Sequence, residues 1–528
     1  MSIQSEQQRN ELHKTIWSIA DDLRGSVDGW DFKQYILGTL FYRFISENLC
    51  AYLAEQEDDP SFDYSRLSDD QAEYGREETV KEKGFFILPS ELFSRVLETV
   101  DKDGMALAEG GDDLNEILVR VFANIEGSAV GTESEDDLKG LFDDFDPNSP
   151  KLGNSVIERN KKLVTLITKI GSLDFGGDFK DNDIDAFGDA YEYLMTMYAS
   201  NAGKSGGEFF TPQEIGELLA HIVIGTRTSV NKVYDPCCGS GGLLLKFAKI
   251  LGAANVRSGF YGQEINLTTY NLARINMFLH DINFDKFSIA REDTLKHPAH
   301  WDDEPFDAIV SNPPYSIKWE GKNNPLNIND PRFSPAGVLA PPSKADLAFT
   351  MHMLSWLSIE GTAAIVEFPG VLYRGSSEQK IRDYLVRNNF VDAVIQLPAD
   401  LFFGTTIATC VLVLKRSKAT NDILFVDASD EFERVDSKNK LMPANIERIA
   451  SAVIGRVEED HFSRLVSNDD VLENDVNLSV SSYVEKPDYR EEIDIVALNA
   501  EIERIVAREQ ELRNEIDAIV ADLEEEAR

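Results

Sequence analysis

The segment Asp307-Ala308-Ile309-Val310-Ser311-Asn312-Pro313-Pro314-Tyr315 runs from an apolar stretch into an amide, two prolines and an aromatic ring. Consecutive prolines continue neither a strand nor a helix, so the chain turns here, at the carboxyl end of a strand. Pro313 has no N–H, so its backbone offers only an acceptor. Two acceptors side by side suit an exocyclic amine on a conjugated ring. Such an amine is a poor nucleophile because its lone pair is delocalised into the ring. When the Asn312 side-chain oxygen and the Pro313 carbonyl each accept one amine hydrogen, the nitrogen shifts toward sp3 geometry. Its lone pair then points at an electrophilic methyl carbon. Methyl loss from a sulfonium is downhill, so orientation and electrostatics suffice before any strong base is needed. Tyr315 offers a ring on which a base can stack, and a duplex base must leave its stack to reach such a pocket. The plain alternative is a strand-ending turn with a surface tyrosine.

A second constellation lies upstream. Val233-Tyr234-Asp235-Pro236-Cys237-Cys238-Gly239-Ser240-Gly241-Gly242-Leu243-Leu244 reads as strand, glycine turn and helix. Glycines let backbone approach a ligand where a Cβ would clash, and a helix N-terminus offers free N–H groups. Glu264 closes the next strand and can accept two hydrogen bonds from a ribose diol. Asp293 follows the strand after that and can accept from an adenine amino group. This pattern fits NAD, FAD or S-adenosylmethionine. The strict GxGxxG is missing, and an Asp-Pro opening is closer to a methionine-binding loop. A third glycine-rich stretch, Asn201–Gln213, ends in Glu208-Phe209-Phe210-Thr211-Pro212-Gln213. Aromatics beside glycines can form a lid on a cofactor; an interdomain linker is the other reading.

These residues need a sheet to hold them. Strand patterns fall at Lys232–Tyr234, Gly259–Gly262, Phe287–Ala290, Asp307–Val310, Ala363–Phe368, Val391–Leu397, Ala408–Leu414 and Ile423–Val426. Helical patterns alternate with them at Leu243–Leu251, Thr268–His280, Ala345–Leu357 and Glu378–Asn388. That alternation predicts a mostly parallel, doubly wound sheet with ligands at its carboxyl edge. Residues 1–170 read as a helical domain, beginning with Leu12, Ile16, Ile19 and Leu23 and an Asp28-Gly29 turn. Acidic stretches near Glu55–Glu78 and Glu133–Asp146 are expected to loop out. The catalytic domain spans 171–430, a connecting region 431–490, and a helical arm 491–528. In that arm Leu498, Ile502, Ile505, Leu512, Ile516, Ile519 and Leu523 step by fours and threes, with Glu509 interrupting one position. Such a narrow seam fits a coiled-coil contact with a partner better than packing on its own domain.

Composition bounds the setting. The 528 residues hold 93 acids against 52 Lys and Arg, a net charge of −41. Four cysteines without CxxC spacing make neither a disulfide framework nor a zinc clamp, and no metal site is expected. The polar start lacks a signal peptide, and the apolar runs are strand-sized, so a reduced, cytoplasmic protein without membrane contact is expected. There is no GxxxxGK[ST] phosphate loop, and no HxE with PCxxC for a base deaminase.

Taken together, Gly206–Pro212, Asp235-Pro236 with Gly239–Gly242, Gly262-Gln263-Glu264 and Asn312–Tyr315 resemble the γ-type amino-methyltransferases of DNA. Gly29–Leu37, Lys344–Phe349 and Leu401–Ile407 extend the resemblance nearly end to end. It is closest to the modification subunit of type I restriction–modification systems. The resemblance implies an α/β fold with a Rossmann-like, S-adenosylmethionine-dependent methyltransferase sheet, an N-terminal all-α domain and a C-terminal helical tail. It implies methyl transfer to adenine N6 in duplex DNA, with Asn312, Pro313, Pro314 and Tyr315 catalytic. Cofactor contacts would come from Glu208–Gln213, Asp235, Gly239–Gly242, Glu264 and Asp293. Two such chains would join one DNA specificity subunit, and restriction/translocase subunits would complete the complex. The Cys237-Cys238 pair departs from the small residues usual there. Competing readings are a methyltransferase of protein glutamine or RNA, whose nitrogens pose the same chemical problem, and a non-catalytic acidic assembly subunit.

The charge is unevenly spread: −17 over residues 1–170, −7 over 171–420 and −17 over 421–528. Lys318, Lys322, Arg332 and Lys344 give the stretch after the tetrapeptide a local surplus, a candidate DNA-facing lip. A chain this acidic is expected to grip DNA poorly alone and to rely on a partner for phosphate contacts.

Overall fold

A computed structural model describes residues 13, 14, 16, 31–173, 186–201, 211–402, 405–435, 438–486 and 495–526. Leu12, Ile19, Leu23, the Asp28-Gly29 turn and Glu208, Phe209 and Phe210 lie outside these. The chain divides into two units, Met1–Val484 and Glu485–Arg528.

In the first unit the described residues form a nine-stranded sheet in the order β11-β8-β6-β7-β5-β4-β1-β2-β3. The strands are β1 (Val230–Asp235), β2 (Val256–Gln263), β3 (Phe287–Ala290), β4 (Phe306–Ser311) and β5 (Leu357–Glu367). They continue with β6 (Val391–Gln396), β7 (Cys410–Lys415), β8 (Asp422–Asp427) and β11 (Ser463–Ser467). A small hairpin, β9 (Glu433–Val435) and β10 (Lys438–Lys440), stands apart. All eight expected strands form. Five of the neighbouring pairs are parallel, but β7 runs antiparallel to both β5 and β6, and β11 antiparallel to β8. Period-two alternation explains the two cores. Val233, Ala308, Val310 and Val366 face one side, while Tyr234, Ile309, Ala363 and Ile365 face the other.

Helices cover both faces. They are α1 (Asp31–Gln56), α2 (Leu114–Ser128), α3 (Val156–Gly171), α4 (Ala186–Asn201), α5 (Gln213–Ile224), α6 (Gly242–Leu251), α7 (Leu267–Leu279), α8 (Asp346–Trp356), α9 (Ser377–Arg387) and α10 (Pro443–Gly455). The apolar stripes of α1, α2 and α3 merge with one sheet core, so the N-terminal helices and the sheet share a single interior.

The acidic stretch around residues 133–146 does not loop out. Leu138, Leu141, Phe142 and Phe145 are buried, and Phe142 stacks on Phe122 at 4.2 Å. The buried Arg274 of α7 donates to the carbonyls of Asp136, Asp137 and Lys139 at 3.0–3.1 Å. Asp144 accepts from Thr268 and Asn271. Four apolar anchors and a buried guanidinium outweigh the preference of the acids for water. The stretch near 55–78 is likewise turned inward in part, with Tyr64 buried and a Ser68–Gln71 capping box starting a short helix.

The second unit is helix α11 (Ile495–Glu526). Its seven seam residues, Leu498 to Leu523, are each 44–59% exposed. Among the described residues no helix is long and apolar enough to cross a membrane.

Candidate active site

Strand β1 lies between β2 and β4, so the carboxyl ends of β1 and β4 are adjacent. Asp235 ends β1 and Ser311 ends β4. Ser311 Oγ donates to Asp235 Oδ1 at 2.8 Å, stitching the glycine loop to the strand that carries Asn312. The same oxygen accepts the Cys237 N–H at 2.9 Å. Asp235 Oδ2 is buried without a partner. Full burial, aided by the charge of Glu264, pushes this carboxyl up to about 7.

The loop that follows reaches α6 through two glycines in the left-handed region, Gly239 (φ 56°) and Gly241 (φ 80°). Gly241 is needed for its left-handed conformation, and a Cβ there would also crowd the flexible end of Met277 at 3.0 Å. Glu264 holds the loop: its Oε2 accepts the Gly239 N–H at 3.1 Å and its Oε1 the Asn266 N–H at 2.8 Å. Each oxygen keeps a lone pair for a ligand. Burial raises this carboxyl as well. Burial likewise pushes the Cys237 and Cys238 thiols up, so neither is a reactive thiolate. Cys238 packs against Gly262, where a Cβ would lie 2.9 Å from its Sγ.

These elements enclose a cavity of about 310 Å³. Its walls include Thr211, Pro212 and Gln213 before α5, then Asp235, Gly239, Ser240 and Gly242, then Glu264 and Asp293, and finally Asn312 and Pro314. Eleven of the residues expected at the site thus meet in one space. Gly241, Pro313 and Tyr315 stand behind the wall. Pro313 is buried, and Tyr315 packs its ring on the core while its hydroxyl donates to Asn312 Oδ1 at 2.7 Å. The aromatic rings on the wall are Tyr191, Trp319 and Phe349.

Sequence reasoning missed several wall residues. Tyr191, Glu192 and Met195 come from α4, Lys246 from α6 and Asn276 from α7. Lys246 is buried and pairs with Glu192 at 3.3 Å. Asn276 donates from Nδ2 to the Ser240 carbonyl at 2.8 Å, and its Oδ1 is buried without a partner. Gln213 Oε1 is a third unpartnered, buried acceptor on the same wall.

The lip after the tetrapeptide is ordered by its ends, with Ser316 N–H donating to Asp346 Oδ1 and Ala345 N–H to the Ile317 carbonyl. Lys318 and Lys322 are exposed, but Arg332 is not a DNA-facing cation. It is buried, pairs with Asp330 at 2.8 Å, and donates to the Thr294 and Leu295 carbonyls at 2.7 and 2.9 Å. It therefore braces the turn that follows Asp293.

Residues 182–492 match the N-6 DNA methylase family, and residues 12–170 match the HsdM N-terminal domain. The chain is 48% identical to the type I restriction enzyme MpnII methylase subunit of Mycoplasma pneumoniae, covering 98% of this chain and 97% of that one. It is 29% identical to the MjaVIII methylase subunit of Methanocaldococcus jannaschii over 75% of this chain and 73% of the relative. The crystal structure of the type I restriction-modification methyltransferase subunit from Streptococcus thermophilus superposes with a TM-score of 0.80 at 34% identity, covering 90% of this chain and all of that one. A chain from a type I system assembly shares the fold, with a TM-score of 0.63 at 18% identity over 96% of this chain and 98% of that chain. The protein belongs to the methylase subunits of type I restriction enzymes, which are adenine-N6-specific DNA methyltransferases.

Proposed function

We propose that this chain transfers the methyl group of S-adenosylmethionine to N6 of an adenine swung out of duplex DNA, in the cytoplasm, while a separate specificity subunit reads the sequence. The observation that carries this reading is the meeting of Asn312 with the Asp235, Glu264 and Asp293 wall in one cavity. The donor set fits the cofactor. Asp235 Oδ2, Gln213 Oε1 and Asn276 Oδ1 are buried acceptors without donors, which suits an ammonium group. Glu264 would hold the ribose hydroxyls and Asp293 the adenine amino group. Glu208, Phe209 and Phe210 would cover the cofactor from the segment just before Thr211. The negative wall also favours a sulfonium.

When bound, the cofactor supplies an electrophilic methyl carbon on sulfur. The chain's own work is to orient the amine. Asn312 Oδ1 and the Pro313 carbonyl accept its two hydrogens and aim the lone pair into the cavity. Pro314 shapes the turn and Tyr315 steadies the amide from behind. Phe349 and Trp319 supply apolar wall against which a flipped base can rest.

The exposed stripe of α11 supports a coiled contact with the specificity subunit, two methylase chains to one such subunit, with restriction/translocase subunits added in the full enzyme. The test is incubation of the purified complex with methyl-labelled cofactor and DNA, RNA or protein. Label in DNA at adenine N6 is expected; label in protein or RNA alone overturns the reading.

A further inference from the structure

Asn312 is held from both ends. Tyr315 Oη donates to its Oδ1 at 2.7 Å, and its Nδ2 donates to Thr211 Oγ1 at 3.0 Å. Tyr315 belongs to the same turn. Thr211 arrives from 101 residues earlier in the chain, from the segment that opens α5. It precedes a proline, which confines it to extended backbone. The Pro212 carbonyl then accepts the N–H groups of Ile215 and Gly216, fixing the segment to a helix whose inner face is buried on the sheet. The threonine hydroxyl is therefore placed by rigid elements.

A primary amide has two orientations of nearly equal shape, related by a half-turn about its last bond. They are chemically opposite. In one, Asn312 presents an acceptor to the incoming amine. In the other it presents two N–H donors to a group that is itself a donor, and the amine cannot be drawn toward sp3 geometry. Tyr315 alone discriminates weakly, because a hydroxyl can donate or accept. A second hydroxyl at the other end settles the direction. A phenol is the stronger donor and an alkyl hydroxyl oxygen the better acceptor, so the phenol takes the amide oxygen and the threonine the amide nitrogen. The carbonyl oxygen keeps a second lone pair for substrate.

We propose that Thr211 is a positioning residue for methyl transfer, whose Oγ1 selects the amide orientation of Asn312 that presents oxygen to the target amine. This rests on the proposed methyl transfer to adenine, and it gives Thr211 a task other than adding to cofactor affinity. The test uses the full complex with its specificity subunit. Cofactor affinity is measured by titration, and methyl transfer to DNA in a single turnover with cofactor and DNA saturating. Thr211→Val keeps the shape and removes the hydroxyl. It is expected to slow transfer by about 10- to 100-fold while cofactor affinity stays within about twofold, since a misaligned catalytic group costs rate rather than binding. Thr211→Ser restores the hydroxyl and is expected to recover the rate to within about threefold.

A third variant separates orientation from folding. Asn312→Asp presents oxygen from either orientation, so adding Thr211→Val to it is expected to remove no more than about twofold of whatever rate remains. The proposal is overturned by an unchanged rate in Thr211→Val, by a loss that saturating cofactor restores, by Thr211→Ser as slow as Thr211→Val, or by a full further loss in the Asn312→Asp background. An unaltered complex that places no methyl group on DNA overturns the proposed function itself, a result distinct from all of these.

Discussion

If the proposed cofactor sets its ammonium on Asp235, its binding is expected to release a proton from that buried carboxyl. In the free protein this group rises from 3.8 to about 7 because it is wholly buried with one oxygen unpartnered. An ammonium delivered to that oxygen requires the carboxylate. Below the raised value the site must first lose its proton, so the apparent dissociation constant grows by the factor one plus the ratio of protonated to ionised Asp235. Relative to the limit at high pH, affinity should be about twofold weaker at pH 7, about tenfold at pH 6 and about a hundredfold at pH 5. The assay is calorimetric titration with S-adenosylhomocysteine, whose ammonium stays charged across this range, in two buffers of different ionisation enthalpy. Proton release of about 0.5 at pH 7 and about 0.9 at pH 6 is expected. Affinity that is flat between pH 8 and 6, or binding with no proton released, refutes the reasoning. The same shift has a folding counterpart. Because the folded state holds the proton to higher pH than the unfolded chain, this group's contribution to stability falls as pH rises from about 4 to about 7 and stays low beyond. A shift of that size is on the order of 4 kcal/mol. Asp235→Asn should therefore raise the thermal midpoint at pH 8 more than at pH 5, and should flatten the pH dependence of binding to the part left by the raised Glu264 carboxyl.

Asn312→Ala removes the acceptor for the target amine; the single-turnover rate should drop by about a thousandfold while cofactor titration stays unchanged. Gly262→Ala would bring a Cβ to 2.8 Å from Ile289 Cδ1 and 2.9 Å from Cys238 Sγ. It should cost about 1–3 kcal/mol in denaturant unfolding and weaken cofactor binding by displacing the glycine loop. Ile516→Asp, on the exposed stripe of α11, should leave unfolding of the isolated chain and its cofactor affinity unaltered, yet prevent co-purification with the specificity subunit.

The strands were legible because helices cover both faces of this sheet, so β4, the second half of β5 and β7 read as apolar runs broken by turns. Direction was not legible. The run Ala408–Leu414 looks the same whether it lies parallel or antiparallel, and only the pairing with β5 and β6 shows that it is reversed. Chemistry written into consecutive residues, as at Asp235–Gly242 and Asn312–Tyr315, survives in the sequence as spacing. Chemistry assembled from separate elements does not. Nothing in the sequence joins Thr211 to Asn312, or sets Lys246 and Glu192 on the cavity wall. Charge misled twice. The acids near 133–146 conceal four buried apolar anchors, and Arg332, counted as a surface cation, spends its guanidinium on buried carbonyls. In both cases a long-range contact overrode the solvation preference of a local stretch.

The placement of β7 bears on how the protein comes into being. In the sheet it is the link between β5 and β6, yet in the chain it follows both. During synthesis, therefore, β3-β2-β1-β4-β5 and the tetrapeptide emerge first, with β5 left as an open edge. Strand β6 has no neighbour until residues 410–415 leave the ribosome, after which β8 and then β11 can add. The cofactor loop is thus complete in the chain long before the sheet that supports it can close. A nascent or truncated chain ending near residue 400 exposes an apolar, unpaired strand edge, the kind of surface that recruits chaperones or aggregates. Closure by a late, reversed strand makes the last quarter of the chain a checkpoint on whether the first three-quarters become an enzyme.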